Sequence, residues 1–321
     1  MSMDQRLLRR VVIAGTIGYL FFSVAGGITL AELQLHPWRR LIPQSEQAAA
    51  SALASARYGT KLENVEITAR DGIILKAWYA RARVTNGRDV LMLHGVADNR
   101  EGVANFAAML LNRGYGVLLP DSRAHGESGG TLATYGLRES DDIHRWVDWL
   151  YSGRHSKCVY GFGESMGAAL VLDSLTAEDR FCAIVAESPF STFRSVAYER
   201  AALYVRAPTW VGRTLLRLPV EVGMDYAKLR YHLDFDGDSP ADAVSHSSTP
   251  VLLIHGTDDI NILPHHSELI AAQSPTHVKL WEVPGAAHCG ASSTHPEMFW
   301  DKVLAWFDSH SQKPSGDSAP V

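Results

Sequence analysis

YGFGESMGAAL, residues 160–170, sets three glycines around one serine. The apolar run that leads into it, VYGFG, reads as a strand, and MGAALVLDSL, which follows, reads as a helix. Ser165 therefore falls in the tight turn between them. A serine with glycines two residues before and two after, at a strand-to-helix turn, is the pattern of a nucleophile elbow. The glycines permit the sharp turn and the close approach of strand to helix, and the hydroxyl is held up at the edge of a sheet. The backbone N–H of Met166, at the helix N-terminus, would then point at negative charge developing on a carbonyl oxygen. GxSxG alone recurs by chance in a glycine-rich chain, so the strand and helix around it carry the reading. No GxxxxGK[ST] is present, and Gly161, Gly163 and Gly167 miss the dinucleotide spacing, so a phosphate cradle is excluded.

Working outward, strand-like and helix-like stretches alternate. NVEITA and IILKAWYA flank the turn signal RDG, and VLMLHG, GVLLPD, VYGFG, CAIVAE, VLLIHG and VKLWEVPG follow. Several are short continuous apolar runs, as in strands covered on both faces of a parallel sheet. Between them lie amphipathic stretches at 102–113, at 138–151 with Ile143, Trp146, Val147 and Leu150 on one face, and at 297–308 with Phe299, Trp300, Val303, Leu304 and Phe307. The pattern predicts an α/β fold, a mostly parallel central sheet flanked by helices, in a domain over 61–309. From Ser191 to Thr249 there is no strand signal, and RAALYVRAPTWVGRTLLRLP is apolar and aromatic with basic residues along it. This interval, about 191–249, is expected to be an inserted helical lid.

A serine nucleophile needs a base, and the base an orienting acid. In a sheet of this kind they follow in the order serine, acid, histidine on loops after late strands. VLLIHG runs into TDDINILP and VKLWEVPG into AAHCG, which makes Asp259 or Asp258 the acid and His288 the base. His295 is the substitute for the base and Glu187 the runner-up for the acid, while a plain surface-loop histidine is the alternative for His288. A second oxyanion donor belongs on the loop after an early strand, where VLMLHGVADNR supplies the N–H of Val96. His94 is expected to brace that loop, or to be simply a buried histidine beside a turn. Glu164 either faces the pocket, where it would disfavour anionic substrates, or serves a neighbouring loop as a hydrogen-bond partner; the second is preferred.

Net charge is −5 over 321 residues, with both signs interspersed and no long basic run, which argues against nucleic acid as a partner. Cys158, Cys182 and Cys289 lack zinc spacing and are too few for a disulfide framework; Cys158 and Cys182, inside apolar runs, are expected to be buried thiols. Val11 to Ala31 contains no charged residue, with Arg6, Arg9 and Arg10 before it and Glu32, Arg39 and Arg40 after. That length suits a single membrane-crossing helix. The expectation for residues 1–43 is an uncleaved anchor with the following domain extracytoplasmic. A cleaved signal, for which SVA at 23–25 offers a site, is the first alternative, and a buried helix of a soluble protein the second. Residues 44–60 read as a tether and 310–321 as a flexible tail.

LMLHGVADNR, LLPDSRAHGESGG, GFGESMGAA, AESPF, LLIHGTDDINILP and VPGAAHCG, in that order, resemble the α/β-hydrolase-fold serine hydrolases. The likeness is to the branch of monoacylglycerol-lipase-like, serine-aminopeptidase-like and cinnamoyl-esterase-like proteins, and it covers about residues 60–309. It implies Ser165 as nucleophile, Asp259 as acid by the HGxxD spacing, His288 as base, oxyanion donors at Val96 and Met166, and no metal or organic cofactor. Two departures stand out: Leu263, followed by Pro264, where the family commonly has proline, and Ala124 in place of a glycine in DSRAHGES. The implied reaction is hydrolysis of a carboxylic ester, lipophilic in view of Tyr204, Trp210, Leu215 and Leu216. A peptidase, amidase or thioesterase with the same three residues is the alternative, and a non-catalytic member of the fold stands behind both. Oligomeric state is left open.

Overall fold

A computed structural model describes residues 3–47, 50, 59–237 and 239–311. Most of the expected tether, at 48–49 and 51–58, and all but the first two residues of the expected tail lie outside the described residues. The chain divides into two compact units, Met1–His36 with Arg194–Gly237, and Pro37–Phe193 with Asp238–Val321.

Among its described residues the larger unit holds eight strands, β1 (Leu62–Thr68), β2 (Ile74–Ala80), β3 (Arg88–Leu93), β4 (Gly116–Pro120), β5 (Cys158–Glu164), β6 (Phe181–Glu187), β7 (Val251–Gly256) and β8 (Val278–Val283). They form one sheet in the order β1-β2-β4-β3-β5-β6-β7-β8. The β1–β2 hairpin is antiparallel, as RDG predicts, and β2 pairs antiparallel with β4. From β4 onwards every pairing is parallel. Every residue of β4, β6 and β7 is buried, which is why these strands read as unbroken apolar runs.

Among the described residues the α-helices, numbered in chain order, are α1 (Met3–Leu35), α2 (Ala104–Asn112), α3 (Glu139–Asp148), α4 (Met166–Asp173), α5 (Phe193–Tyr204), α6 (Thr209–Arg213), α7 (Arg217–Tyr231), α8 (Pro240–Ser245), α9 (His265–Gln273), α10 (Ala291–Thr294) and α11 (Pro296–Ser309). The apolar faces foreseen at 138–151 and 297–308 are the buried ones: Ile143, Trp146 and Val147 on α3, and Phe299, Val303, Leu304 and Phe307 on α11. Polar contacts fix α11 to the sheet, Tyr160 Oη–H donating to Phe307 O at 2.8 Å and Trp306 Nε1–H to Ile184 O at 3.2 Å.

DSRAHGES proves structural. The buried Asp121 carboxylate accepts from Arg100 N–H and Glu127 N–H at 2.8 and 2.7 Å. Arg123 donates both arms of its guanidinium to Asp142 at 2.7 Å, and its remaining nitrogen to Asp71 at 2.9 Å. A buried guanidinium needs such pairing to offset its desolvation. Ala124 sits at φ +61°, in the left-handed region, so a glycine at this place is a backbone requirement. Ala124→Gly is expected to raise stability by about 1 kcal/mol, read as a shift of the urea midpoint at unchanged slope. An unchanged or lowered midpoint would mean that the strain is absorbed elsewhere.

One expectation fails. Cys158 and Cys182 are not separate thiols: they form a disulfide between adjacent parallel strands β5 and β6, with Cα atoms 5.9 Å apart. The 24-residue separation held no signal, because the two positions meet only through the pairing of β5 with β6, whose register shifts at this place.

In the smaller unit α1 is long and apolar enough to cross a membrane. Its C-terminal half runs beside α7 in the same direction. Gly27 lies against α7, where a Cβ would come within 2.4 Å of Pro219 O, and a Cβ on Gly223 would lie 2.7 Å from Gly27 O. Only glycine allows the two backbones so close. Further along, Glu32 accepts from the hydroxyls of Tyr226 and Tyr231 at 2.6 and 2.7 Å.

Candidate active site

Ser165 follows the last residue of β5 and has φ +55° and ψ −118°, a conformation foreign to most L-residues. The flanking glycines explain how the turn closes. A Cβ on Gly163 would lie 2.3 Å from Gly167 O, and a Cβ on Gly167 2.3 Å from Leu93 O. Strand, turn and helix thus interlock at backbone contact, with the N–H of Met166 on the first turn of α4. The loop after β3 stands alongside, since a Cβ on Gly95 would be 3.5 Å from Ser165 Cβ. Val96 is next on that loop and partly exposed. His94 braces it: Nδ1–H donates to Gly95 O at 2.7 Å and Nε2 accepts from Ser122 N–H at 3.1 Å. Burial holds His94 below the usual imidazole range, so it stays neutral there.

Asp259 lies three residues beyond β7 and His288 five beyond β8. The structure brings Ser165, His288 and Asp259 into one line. Ser165 Oγ and His288 Nε2 are 2.8 Å apart, and His288 Nδ1 is 2.7 Å from Asp259 Oδ2. A carboxylate can only accept, so Nδ1 carries the proton and Nε2 is free to accept from the serine hydroxyl. Asp259 Oδ1 accepts from the backbone N–H of Asn261 and Ile262 at 2.9 and 3.0 Å. Burial pushes this carboxyl up, but hydrogen bonding to His255 and His288, the His288 charge and the Ile262 N–H outweigh it. The net effect holds Asp259 well below the usual carboxylate range.

The alternatives fall elsewhere. Asp258 is exposed and accepts from Thr257 Oγ1–H at 3.1 Å. Glu187, at the end of β6, accepts from Ala291 N–H at 2.9 Å, and Ser188 Oγ accepts from Cys289 N–H at 3.3 Å. The end of β6 therefore grips the turn that carries His288, a bracing role that the sequence did not disclose. Burial pushes Glu187 up to about 7, although the Ala291 N–H and His255 pull it down. His295 immediately precedes α11, beyond this turn.

His255 is a second support missed from sequence. Its Nε2–H donates to Ile262 O at 2.9 Å, and its Nδ1 pairs with Ser267 Oγ at 2.7 Å. It thereby fixes the loop from which Asp259 projects, and the available signal was its place directly before the glycine of HGxxD. Glu164, beside the nucleophile, differs from the preferred expectation: among the described residues no hydrogen bond satisfies its carboxyl. Burial, with Glu187 and Asp98 nearby, pushes it up to about 9, so at neutral pH it is an uncharged acid. It adds no negative charge beside Ser165 to repel an anion.

Residues 101–314 match the model of the prolyl oligopeptidase family. Among curated proteins, the uncharacterized protein YqkD of Bacillus subtilis is 33% identical over 174 residues, which are 53% of this chain and 54% of that one. This chain thus spans about half of YqkD. The lysophosphatidylserine lipase ABHD12 of Danio rerio is 27% identical over 57% of this chain and 46% of its own. Among solved structures, an esterase of Pyrococcus furiosus superposes with a TM-score of 0.67 at 22% identity, covering 86% of this chain and 99% of that one. An acylaminoacyl peptidase of Pyrococcus horikoshii gives 0.57 at 16%, over 81% and 43%. At these identities the solved structures speak for the fold alone, whereas the family model spans two thirds of the chain. The chain belongs to the prolyl oligopeptidase family and is a serine hydrolase of the α/β-hydrolase fold.

Proposed function

We propose that this serine hydrolase cleaves a lipophilic carboxylic ester through an acyl-enzyme on Ser165. The observation that carries the reading is the line Ser165 Oγ, His288 Nε2, His288 Nδ1 and Asp259 Oδ2, with steps of 2.8 and 2.7 Å, mounted on the strained turn after β5. His288 Nε2 takes the hydroxyl proton as Ser165 Oγ bonds to the carbonyl carbon. The carbonyl oxygen becomes an anion held by the N–H groups of Val96 and Met166. When the tetrahedral species collapses, the ester C–O bond breaks and the alcohol leaves with the proton from His288. Water then repeats the sequence on the acyl group, giving up a proton to His288 and releasing the carboxylic acid and Ser165. Asp259 holds the imidazole in the required tautomer and stabilises its charged form.

Ester rather than amide is favoured by the names of two similar proteins, an esterase and a lysophospholipid lipase. A lipophilic substrate is favoured by the second of these names, that of a lipase. Peptidase neighbours and the family's name keep the amide as the second reading. A series of nitrophenyl esters of increasing acyl length, run beside aminoacyl anilides, separates the two. We expect kcat/KM to rise about fourfold per methylene while the chain is being buried, and no turnover of the anilides. Rates that ignore acyl length while the anilides turn over would replace the ester reading with the amidase one.

We read α1 as an uncleaved membrane anchor. The contact of α1 with the turn that leads into α7 is made by Tyr19, whose hydroxyl donates to Leu215 O at 3.0 Å. Cleavage after Ala25 would remove that part of the seam.

A further inference from the structure

The uncharged run of α1, Val11 to Ala31, would measure about 31 Å as a helix, close to the hydrocarbon thickness of a bilayer. Although most of that length is exposed, its C-terminal part carries protein contacts along one face. Tyr19 meets Leu215, Gly27 meets Pro219, and Ala31 Cβ is 3.6 Å from where a Gly223 side chain would begin. Only Val11 to Gly18, about 12 Å of helix, stands clear of the start of α7. Counting back to Leu7, past Arg9 and Arg10, gives about 18 Å, still short of a crossing. A bilayer that takes in the whole uncharged run must therefore also take in the level of Leu215.

The part of the segment nearest Leu215 suits it, whereas its start lies elsewhere, Tyr204 Oη accepting from Gln34 Nε2–H at 2.7 Å, fifteen residues along α1 from Tyr19. In the segment that joins α5, α6 and α7, Val205, Trp210 and Leu215 are 56, 60 and 61% exposed. No acidic residue occurs from Tyr204 to Val220, whereas Arg206, Arg213 and Arg217 do. An exposed tryptophan among aliphatic residues, rimmed by arginines, has the composition of a surface that lies at the boundary between headgroups and acyl chains. We propose that the corner Trp210–Leu216, closed by the bond from Thr214 Oγ1–H to Trp210 O, is a second bilayer contact beside α1, with Trp210 and Leu215 in the acyl boundary and Arg217, 3.9 Å from Glu221, facing anionic headgroups. The proposal rests on the reading of α1 as an anchor. It ties the segment between β6 and β7 to the lipid surface.

The test uses the full chain in vesicles of phosphatidylcholine with a minority of phosphatidylglycerol. A photoreactive p-benzoylphenylalanine is placed in turn at Ile13, Trp210, Leu215 and Leu229, and lipid adducts are weighed by mass spectrometry. Leu229 is the comparison site: it is 81% exposed and lies about 18 Å along α7 from its first residue, Arg217, which Leu215 precedes. The expected result is lipid adduct at positions 210 and 215 within about threefold of that at 13, and about tenfold above that at 229. Adducts at 13 with none at 210 or 215, or protein adducts at 210 in place of lipid, overturn the second contact and leave the anchor standing. No lipid adduct at 13 removes the anchor, and the proposal with it.

Discussion

Replacing Ser165 by alanine is expected to lower kcat/KM for a nitrophenyl ester by about a thousandfold or more, with no change in the thermal midpoint. The hydroxyl oxygen is the only atom removed, and its one hydrogen-bond partner among the described residues is His288 Nε2, at 2.8 Å. The turn itself should survive, because the close backbone contacts at Gly163 and Gly167 and the bond from Ser165 N–H to Glu187 O involve no side chain of residue 165. Without the nucleophile, binding and the two oxyanion N–H groups still favour a tetrahedral species, so a small residual rate is consistent with the mechanism. His288→Ala should cost about as much, and the double variant hardly more than either single one, because the two groups act in a single step. A fluorophosphonate probe should label the wild type at Ser165 and leave Ser165→Ala unlabelled. A variant that keeps a tenth of wild-type activity would exclude Ser165 as the nucleophile.

The sequence disclosed the sheet because burial on both faces leaves a plain mark, unbroken apolar runs such as CAIVAE and VLLIHG. It disclosed the three aligned residues because each lies just beyond the carboxyl end of a strand, where short-range spacing settles position. Features that depend on distant partners were not legible. The Cys158–Cys182 disulfide depends on the pairing of two strands. The seam of α1 depends on Gly27 meeting Gly223, almost two hundred residues away, and in isolation such small residues read only as part of an apolar stretch. Glu187 was weighed as an acid for His288 because its strand end points the right way. Its contact with Ala291 N–H shows that a carboxylate in that place can hold the histidine's turn without touching the imidazole. Ala124 illustrates the converse: its departure from the family's glycine was visible, and the cost of it, a left-handed backbone, was not.

Asp259→Asn tests the part of the mechanism that depends on a single proton, and its expected effect is about ten-thousandfold in kcat. The site is arranged so that the change is nearly pure. Oδ1 accepts from Asn261 N–H and Ile262 N–H, and an asparagine carbonyl oxygen can keep both bonds. Its amide nitrogen must then face His288 Nδ1, where a carboxylate oxygen stood at 2.7 Å. An amide N–H donates, so Nδ1 becomes the acceptor and the proton moves to Nε2, where it confronts the serine hydroxyl and no base remains. KM should stay within about threefold, since no group that meets substrate has changed. Asp259 is held well below the usual carboxylate range, so any stability it adds is present above about pH 4 and fades only as the solution is made more acid than that. A loss of activity between pH 5 and 7 in the wild type therefore cannot be the protonation of Asp259. If Asp259→Asn instead lost less than about tenfold, the orientation of His288 would have to come from its turn, and Glu187→Gln, which weakens the grip on Ala291, would become the decisive variant.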